Sequence, residues 1–179
     1  LKKYDTKIIV NVCGHAPEEY LAVVERLADE PIDMMEINIS CPNVNAGFLA
    51  FGQDAGHVEK LTAQIKKIAK QPVIMKLTPN VTDITEIAKA AEAGGADGIS
   101  LINTLTGMKI DINRKTFALA NKTGGVSGPI VHPIAVRMVY QAAQAVKIPI
   151  IGMGGIQSAE DAIEFLLAGA SAVSVGTAN

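Results

Sequence analysis

The residues best suited to chemistry lie in EINISCPNVNAGF, Glu36 to Phe48, where an apolar run ends in a turn holding Cys41 between Ser40 and Pro42, flanked by Asn38 and Asn43. A thiol titrates at about 8.5 when unperturbed, so a modest shift makes it a base for proton abstraction. The competing reading is a buried packing cysteine, because free cysteines often serve as small apolar side chains. Position alone leaves Cys41 between the two. For Cys13 a buried, structural role is expected. Lys76 is the second anomaly: it closes the apolar run VIMKL, and an ammonium in such surroundings needs an anionic or electron-rich partner. Either it ends the strand and reaches solvent, or it is a fixed positive charge at the mouth of a site.

Glycines and amides complete the set. Gly154 and Gly155 in IGMGG, and Gly176 with Thr177 in VGT, follow the last two apolar runs. Backbone N–H groups approach an anion such as phosphate closely only where side chains are absent. IGMGG is no dinucleotide fingerprint, since Gln157 occupies the third glycine position. Asn11, Asn103 and Thr104 stand at the ends of KIIVNV and GISLIN. Each alone is equally suited to hydrogen-bond a neighbouring loop, but with Asn38 and Asn43 they form a ring of amides able to hold a planar molecule with alternating donors and acceptors.

The elements that must position these residues are short runs rich in Val and Ile: KIIVNV, MMEINIS, PVIMKL, GISLIN, IPIIGM and AVSVGT. Runs this apolar on both faces predict parallel strands covered by helices. The intervening segments have helical spacing, with Val58, Leu61, Ile65 and Ile68 on one apolar stripe and Ile163, Leu166 and Leu167 on another. Asp83 and Ser158 sit where N-caps belong, and glycines in EAGGAD and LAGAS stop helices. This is serial βα architecture in one α/β domain spanning 1–179, either an open doubly wound sheet or a (β/α)₈ TIM barrel. Polar and glycine residues at the C-terminal ends of the runs favour the barrel, whose sites assemble there. A full barrel has eight strands and about 250 residues; with six runs, the expectation is an incomplete barrel of about six βα units. One connection is long: an insertion at about 105–128, in which MKIDI and FALAN flank Asn113 to Lys115 as a small hairpin, followed by TGGVSGP.

Composition narrows the classes. The chain has 179 residues, 49% hydrophobic, with 16 Lys and Arg scattered among 18 Asp and Glu. Without a basic stripe, nucleic acid is not expected as a partner. No run reaches the length of a membrane span and no signal-peptide pattern is present, so a cytoplasmic location is expected. Two cysteines do not form a disulfide framework, and no Cys or His cluster has zinc-ligand spacing, so no metal is expected.

Taken together, INISCPN, VIMKLTPNVTDI, LINT, TGGVSGP, IIGMGG and VSVGTAN resemble the class 1 dihydroorotate dehydrogenases along essentially the whole chain. NAGFLAFGQD and the MKIDI insertion resemble most the catalytic subunit of the NAD-linked class 1B enzyme. The resemblance implies an FMN-binding barrel that oxidises (S)-dihydroorotate to orotate in pyrimidine biosynthesis. It implies Cys41 as the base that removes the C5 proton while a hydride leaves C6 for flavin N5, and Lys76 as partner of the flavin N1 and O2 region. Asn38, Asn43, Asn103 and Thr104 match substrate ligands, Asn38 also touching FMN. Asn11, Ile102 and Gly128 match further FMN contacts, and Gly154, Gly155, Gly176 and Thr177 its phosphate grip. A homodimer is implied, joined by a second subunit carrying FAD and a [2Fe–2S] cluster that passes electrons to NAD.

Class 1 chains carry two further strands before KIIVNV and a further helix at the end. The polypeptide alone is therefore expected to bind FMN poorly and turn over slowly or not at all. Three other readings stand beside this one. The flavin domain of dihydropyrimidine dehydrogenase has a similar cysteine turn, though Asn43 directly after Pro42 favours dihydroorotate. A non-catalytic barrel fragment would retain only phosphate or flavin binding. A barrel aldolase or isomerase with Lys76 as Schiff-base nucleophile leaves Cys41 and the amides idle.

Overall fold

The computed structural model of the chain describes residues 3–40, 51–176 and 178. In chain order its elements are β1 (Ile9–Val12), α1 (Pro17–Leu27), β2 (Met34–Asn38), α2 (Ala55–Ile68), β3 (Val73–Lys76), α3 (Ile84–Ala93), β4 (Gly98–Leu101), β5 (Leu105–Met108), β6 (Ile110–Asp111), β7 (Thr116–Phe117), β8 (Thr123–Val126), α4 (His132–Ala145), β9 (Ile150–Met153), α5 (Ala159–Leu167) and β10 (Ala172–Ser174). The expected runs each form a strand of one parallel sheet, ordered β1-β2-β3-β4-β9-β10. No helix among the described residues is long and apolar enough to cross a membrane.

Strand order decides between the two architectures. A doubly wound sheet reverses its order at the middle and carries helices on both faces. Here spatial order follows chain order without reversal, and each helix packs on the next, α1 on α2 through to α4 on α5. A parallel sheet covered by one continuous helix layer fits part of an α/β barrel.

The two faces of the sheet differ, which corrects the expectation of strands apolar on both. Side chains alternate along a strand, so the register puts Asn11 beside Glu36, Asn38 beside Lys76, and Lys76 beside Ser100 on one face. The other face carries Val12, Met35, Ile37, Met75, Ile99 and Leu101, all 1% exposed or less. These pack against the helices with Val24, Ile65, Ala88, Val139 and Phe165. Fully burying each large aliphatic side chain contributes about 1.5–3 kcal/mol, so this layer holds the fold and leaves the opposite face for polar groups.

Local signals behave largely as read. Asp83 caps α3 by accepting the Thr85 N–H at 2.8 Å, and Ser158 and Asp161 form a reciprocal capping box on α5. Asp54, not singled out from the sequence, caps α2 by accepting the His57 N–H at 2.8 Å. Gly95 and Gly169 end α3 and α5 with positive φ. The predicted stripe of α5 is corrected: Ile163, Leu166 and Leu167 are 52%, 47% and 81% exposed, whereas Phe165 is fully buried. The helix is apolar on more than one side, and the sheet accepts the side carrying Phe165, because Gly152 in β9 leaves room for that ring.

The long connection after β4 is a double hairpin. As predicted around Asn113 to Lys115, β6 pairs antiparallel with β7. Outside it β5 pairs with β8, a pairing hidden by the glycine-rich TGGV. Asn80 anchors the base, donating to the Thr104 carbonyl at 3.0 Å and accepting the Thr106 N–H at 2.9 Å. The returning strand delivers Val126, Ser127 and Gly128 to the C-terminal ends of the parallel strands.

Candidate active site

A chain of polar contacts crosses the face of the sheet opposite the described helices. Glu36, in the middle of β2, is its hub. Oε1 of Glu36 accepts the Ser100 hydroxyl at 2.6 Å; Oε2 accepts Asn11 Nδ2 at 2.6 Å and faces Lys76 Nζ at 3.5 Å. The side chains of Glu36 and Lys76 are 13% and 19% exposed. The partner that Lys76 requires is therefore supplied by the protein itself, on the neighbouring strand.

A second group lies at the end of β2. The Oδ1 of Asn38 accepts the Ser40 hydroxyl at 2.8 Å and Asn103 Nδ2 at 3.0 Å, and Asn103 Nδ2 also donates to the Ser40 hydroxyl. The Asn103 Oδ1 accepts the Thr104 N–H at 2.8 Å. From the helix side, the Tyr20 hydroxyl donates to the Asn38 carbonyl at 2.8 Å, fixing the strand end. Cys13 corrects the expectation of a buried cysteine: it is exposed, its thiol donating to Asn11 Oδ1 at 3.2 Å and accepting from Asn38 Nδ2 at 3.5 Å. It stands two residues after Asn11 and shares its polar face, which no helix of the described residues covers.

Beside these groups is a cavity of about 300 Å³ lined by Lys76, Ile102, Asn103, Thr104, Gly128, Gly154, Gly155 and Gly176, with Ser127, Gln157 and Ser174 among its polar walls and Val131, Met153 and Ile156 among its apolar ones. Most of the predicted positions thus meet in one hollow. Asn11 and Asn38 do not line it; Asn11 is linked to it through Glu36 and Lys76, and Asn38 through Asn103. Cys41, Asn43 and Thr177 lie outside the described residues.

The glycine end is built by backbone geometry. Gly154 and Gly155 have φ of 136° and 70°, a region that disfavours side chains. A Cβ on Gly155 would fall 2.7 Å from the Gly128 carbonyl oxygen and 2.9 Å from His132 Cβ, so the turn is held against the start of α4. His132, which the sequence does not single out, clamps it: Nδ1 lies 3.0 Å from the Gly154 carbonyl oxygen, Nε2 lies 3.1 Å from Glu164 Oε2, and the ring meets Phe165 edge-on at 5.2 Å. Asp161 stands nearby, and its carboxyl is held below the usual aspartate range by the N–H groups of Gln157 and Ser158, with His132 adding to the effect.

Glu36 was equally missed as a site residue. Its signal was available, since a carboxylate inside MMEIN is as anomalous as the lysine inside VIMKL. The arrangement can hold a flat polar ligand against Asn103 and Thr104, place a cation at one end of it, and receive an anionic group on the glycine turns at the other.

Comparison with known proteins bears on which ligand that is. All of residues 1–179 match the family described as dihydroorotate dehydrogenase. The chain is 70% identical to a protein of Lachnoclostridium phytofermentans, 63% to one of Alkaliphilus metalliredigens and 55% to one of a Geobacillus species, each named dihydroorotate dehydrogenase B (NAD(+)), catalytic subunit. Each match covers the whole chain and 60%, 59% and 58% of the relative, respectively, so the chain spans about three fifths of these relatives' length. A full-length family match and identities this high leave one conclusion: the chain belongs to the dihydroorotate dehydrogenase family.

Proposed function

We propose that the protein to which this chain belongs oxidises (S)-dihydroorotate to orotate in de novo pyrimidine biosynthesis, with FMN as its cofactor, on an eight-unit TIM barrel of which residues 1–179 form about six units as a single partial FMN-binding domain. The observation that carries the reading is the cavity itself, which joins Lys76 to the Gly154–Gly155 turn across Asn103 and Thr104, in a chain 70% identical to a dihydroorotate dehydrogenase B catalytic subunit.

The residues present fit FMN. At the glycine end, Gly154, Gly155 and Gly128 turn the backbone with positive φ, and a Cβ on Gly176 would meet nothing within 4 Å, so the main chain there is open to a phosphate. Thr177 would add its hydroxyl. At the other end Lys76 would present its ammonium to the N1 and O2 edge of the ring, where a cation favours negative charge. Ile102 supplies apolar wall, and Asn11 and Asn38 support from the strands. Bound FMN supplies the acceptor for the hydride that leaves C6 of the substrate. Asn38, Asn43, Asn103 and Thr104 hold and orient the pyrimidine ring, and Cys41 takes the proton from C5.

The names of the relatives favour the class 1B assignment, with NAD as the final electron acceptor. Its implied assembly is a cytoplasmic homodimer of catalytic subunits, joined to a subunit carrying FAD and a [2Fe–2S] cluster. The test is Cys41→Ser in the FMN-loaded holoenzyme, mixed anaerobically with dihydroorotate while flavin bleaching is followed. Loss of a general base costs about 10²–10⁴-fold, so bleaching at neutral pH slows by that order while FMN stays bound. Unchanged bleaching would remove Cys41 from the mechanism.

A further inference from the structure

Lys76 has one partner among the described residues, the Glu36 carboxylate at 3.5 Å. That carboxylate is itself fixed from two other strands: Ser100 on β4 donates to Oε1 and Asn11 on β1 donates to Oε2, both at 2.6 Å. An ionised carboxylate accepts about four hydrogen bonds and donates none. Three donors from three strands therefore leave Glu36 little freedom to turn, and its side chain is 13% exposed. Lys76, by contrast, has three N–H donors, borders the cavity, and is tethered by one long contact. Glu36 does not line the cavity. The rigid member of the pair stands behind, and the member with spare donors faces the ligand.

We propose that Glu36 is a positioning residue for Lys76: it holds the ammonium at the cavity wall and restrains its approach to the ligand, and so sets how strongly the site favours a negatively charged ligand ring. This rests on the reading of the cavity as an FMN site. The carboxylate acts through the lysine in two ways. It fixes where Nζ stands, and by attracting the ammonium it restrains the approach of Nζ to the ring edge, so that part of the lysine's attraction is spent on Glu36. Two-electron reduction places negative charge near the ring edge that Lys76 addresses, so the balance of the pair is read out as the reduction potential of the bound flavin. Asn11 then belongs to the support of Glu36 in addition to any contact with the cofactor.

The test compares FMN midpoint potentials in holoenzymes with Glu36→Gln, Lys76→Met and both substitutions. Glu36→Gln keeps the shape and removes the charge. The expected result is a rise in potential equivalent to at least tenfold tighter binding of reduced over oxidised FMN, about 30 mV for a two-electron couple, and loss of most of that rise in the Lys76→Met background. A carboxylate acting alone would give the same rise in both backgrounds, and either that result or no rise at all overturns the proposal. Should Glu36→Gln fail to fold, Glu36→Asp carries the same comparison, since it keeps the charge but withdraws it from Lys76; the expected shift has the same sign and is smaller. Failure of the wild-type protein to bind FMN sinks the cofactor reading and this proposal together, whereas bound FMN with background-independent shifts sinks the proposal alone.

Discussion

Ile37 and Asn38 are adjacent in β2 and belong to different worlds. Ile37 points to the helices and is fully buried among aliphatic side chains. Asn38 points to the opposite face, where its Oδ1 gathers donors from Ser40 and Asn103. The same alternation separates Met75 from Lys76 and Ile99 from Ser100. One face of the sheet can thus be specialised for packing, which tolerates no charge, while the other carries a carboxylate, a lysine and amides. The helix layer secures the backbone that the polar face needs as a rigid support.

That division can be broken most forcefully from the packing side. Ile37→Ala leaves a cavity in the layer between β2 and the helices and should cost about 2–5 kcal/mol, seen as a large drop in the denaturation midpoint. Asn38→Ala should cost about 1 kcal/mol yet impair ligand binding far more than Ile37→Ala does. Equal stability losses for the two neighbours would contradict the assignment of faces.

A smaller effect sharpens the comparison within the polar face, between the ion-paired end and the glycine end. Gly155→Ala forces a side chain onto a backbone at φ 70° and against the Gly128 carbonyl. Backbone strain of this kind costs about 1–3 kcal/mol, and FMN affinity should fall with it while the Glu36–Lys76 pair is untouched. Isothermal titration with FMN and thermal melting of the apoprotein read the two consequences separately.

The smallest effect concerns the cap that braces this end. Ser158→Ala should cost about 1 kcal/mol. The Asp161 carboxyl is held below its ordinary value of 3.8, chiefly by the Gln157 N–H. A depressed carboxylate contributes stability that is complete above that ordinary value and is lost as pH falls through the lower folded one. Denaturation of Asp161→Asn should accordingly differ from wild type near neutrality and converge with it in acid. A difference that persists unchanged into strong acid would contradict the capping role.

Much of this was legible in the sequence, for reasons that particular residues make plain. Strands announced themselves because the helix-facing residues, such as Ile37 and Met75, are aliphatic, and Lys76 stood out against them. Register was not legible. Glu36 meets Lys76, Ser100 and Asn11 only once the strands are aligned, and it lies two residues before Asn38, inside the strand and not at its polar end. The stripe of α5 misled because Ile163, Leu166 and Leu167 are more numerous than the single Phe165 that the sheet accepts. Cys13 misled because a cysteine's type suggests burial, whereas its position after Asn11 puts it on the uncovered face. His132 carried no pattern in sequence, since its partners Gly154 and Glu164 are distant and meet it only through the packing of α4 on β9 and α5.

An FMN held beside a pyrimidine ring on the polar face, as proposed, would exchange electrons with dihydroorotate and not with uracil. The most direct measurement mixes the FMN-loaded holoenzyme anaerobically with dihydroorotate and, separately, mixes its reduced form with uracil, following the flavin absorption band. Bleaching by dihydroorotate with no reoxidation by uracil is the predicted result. Failure of dihydroorotate to bleach the flavin, or reoxidation of the reduced flavin by uracil in its place, would contradict it.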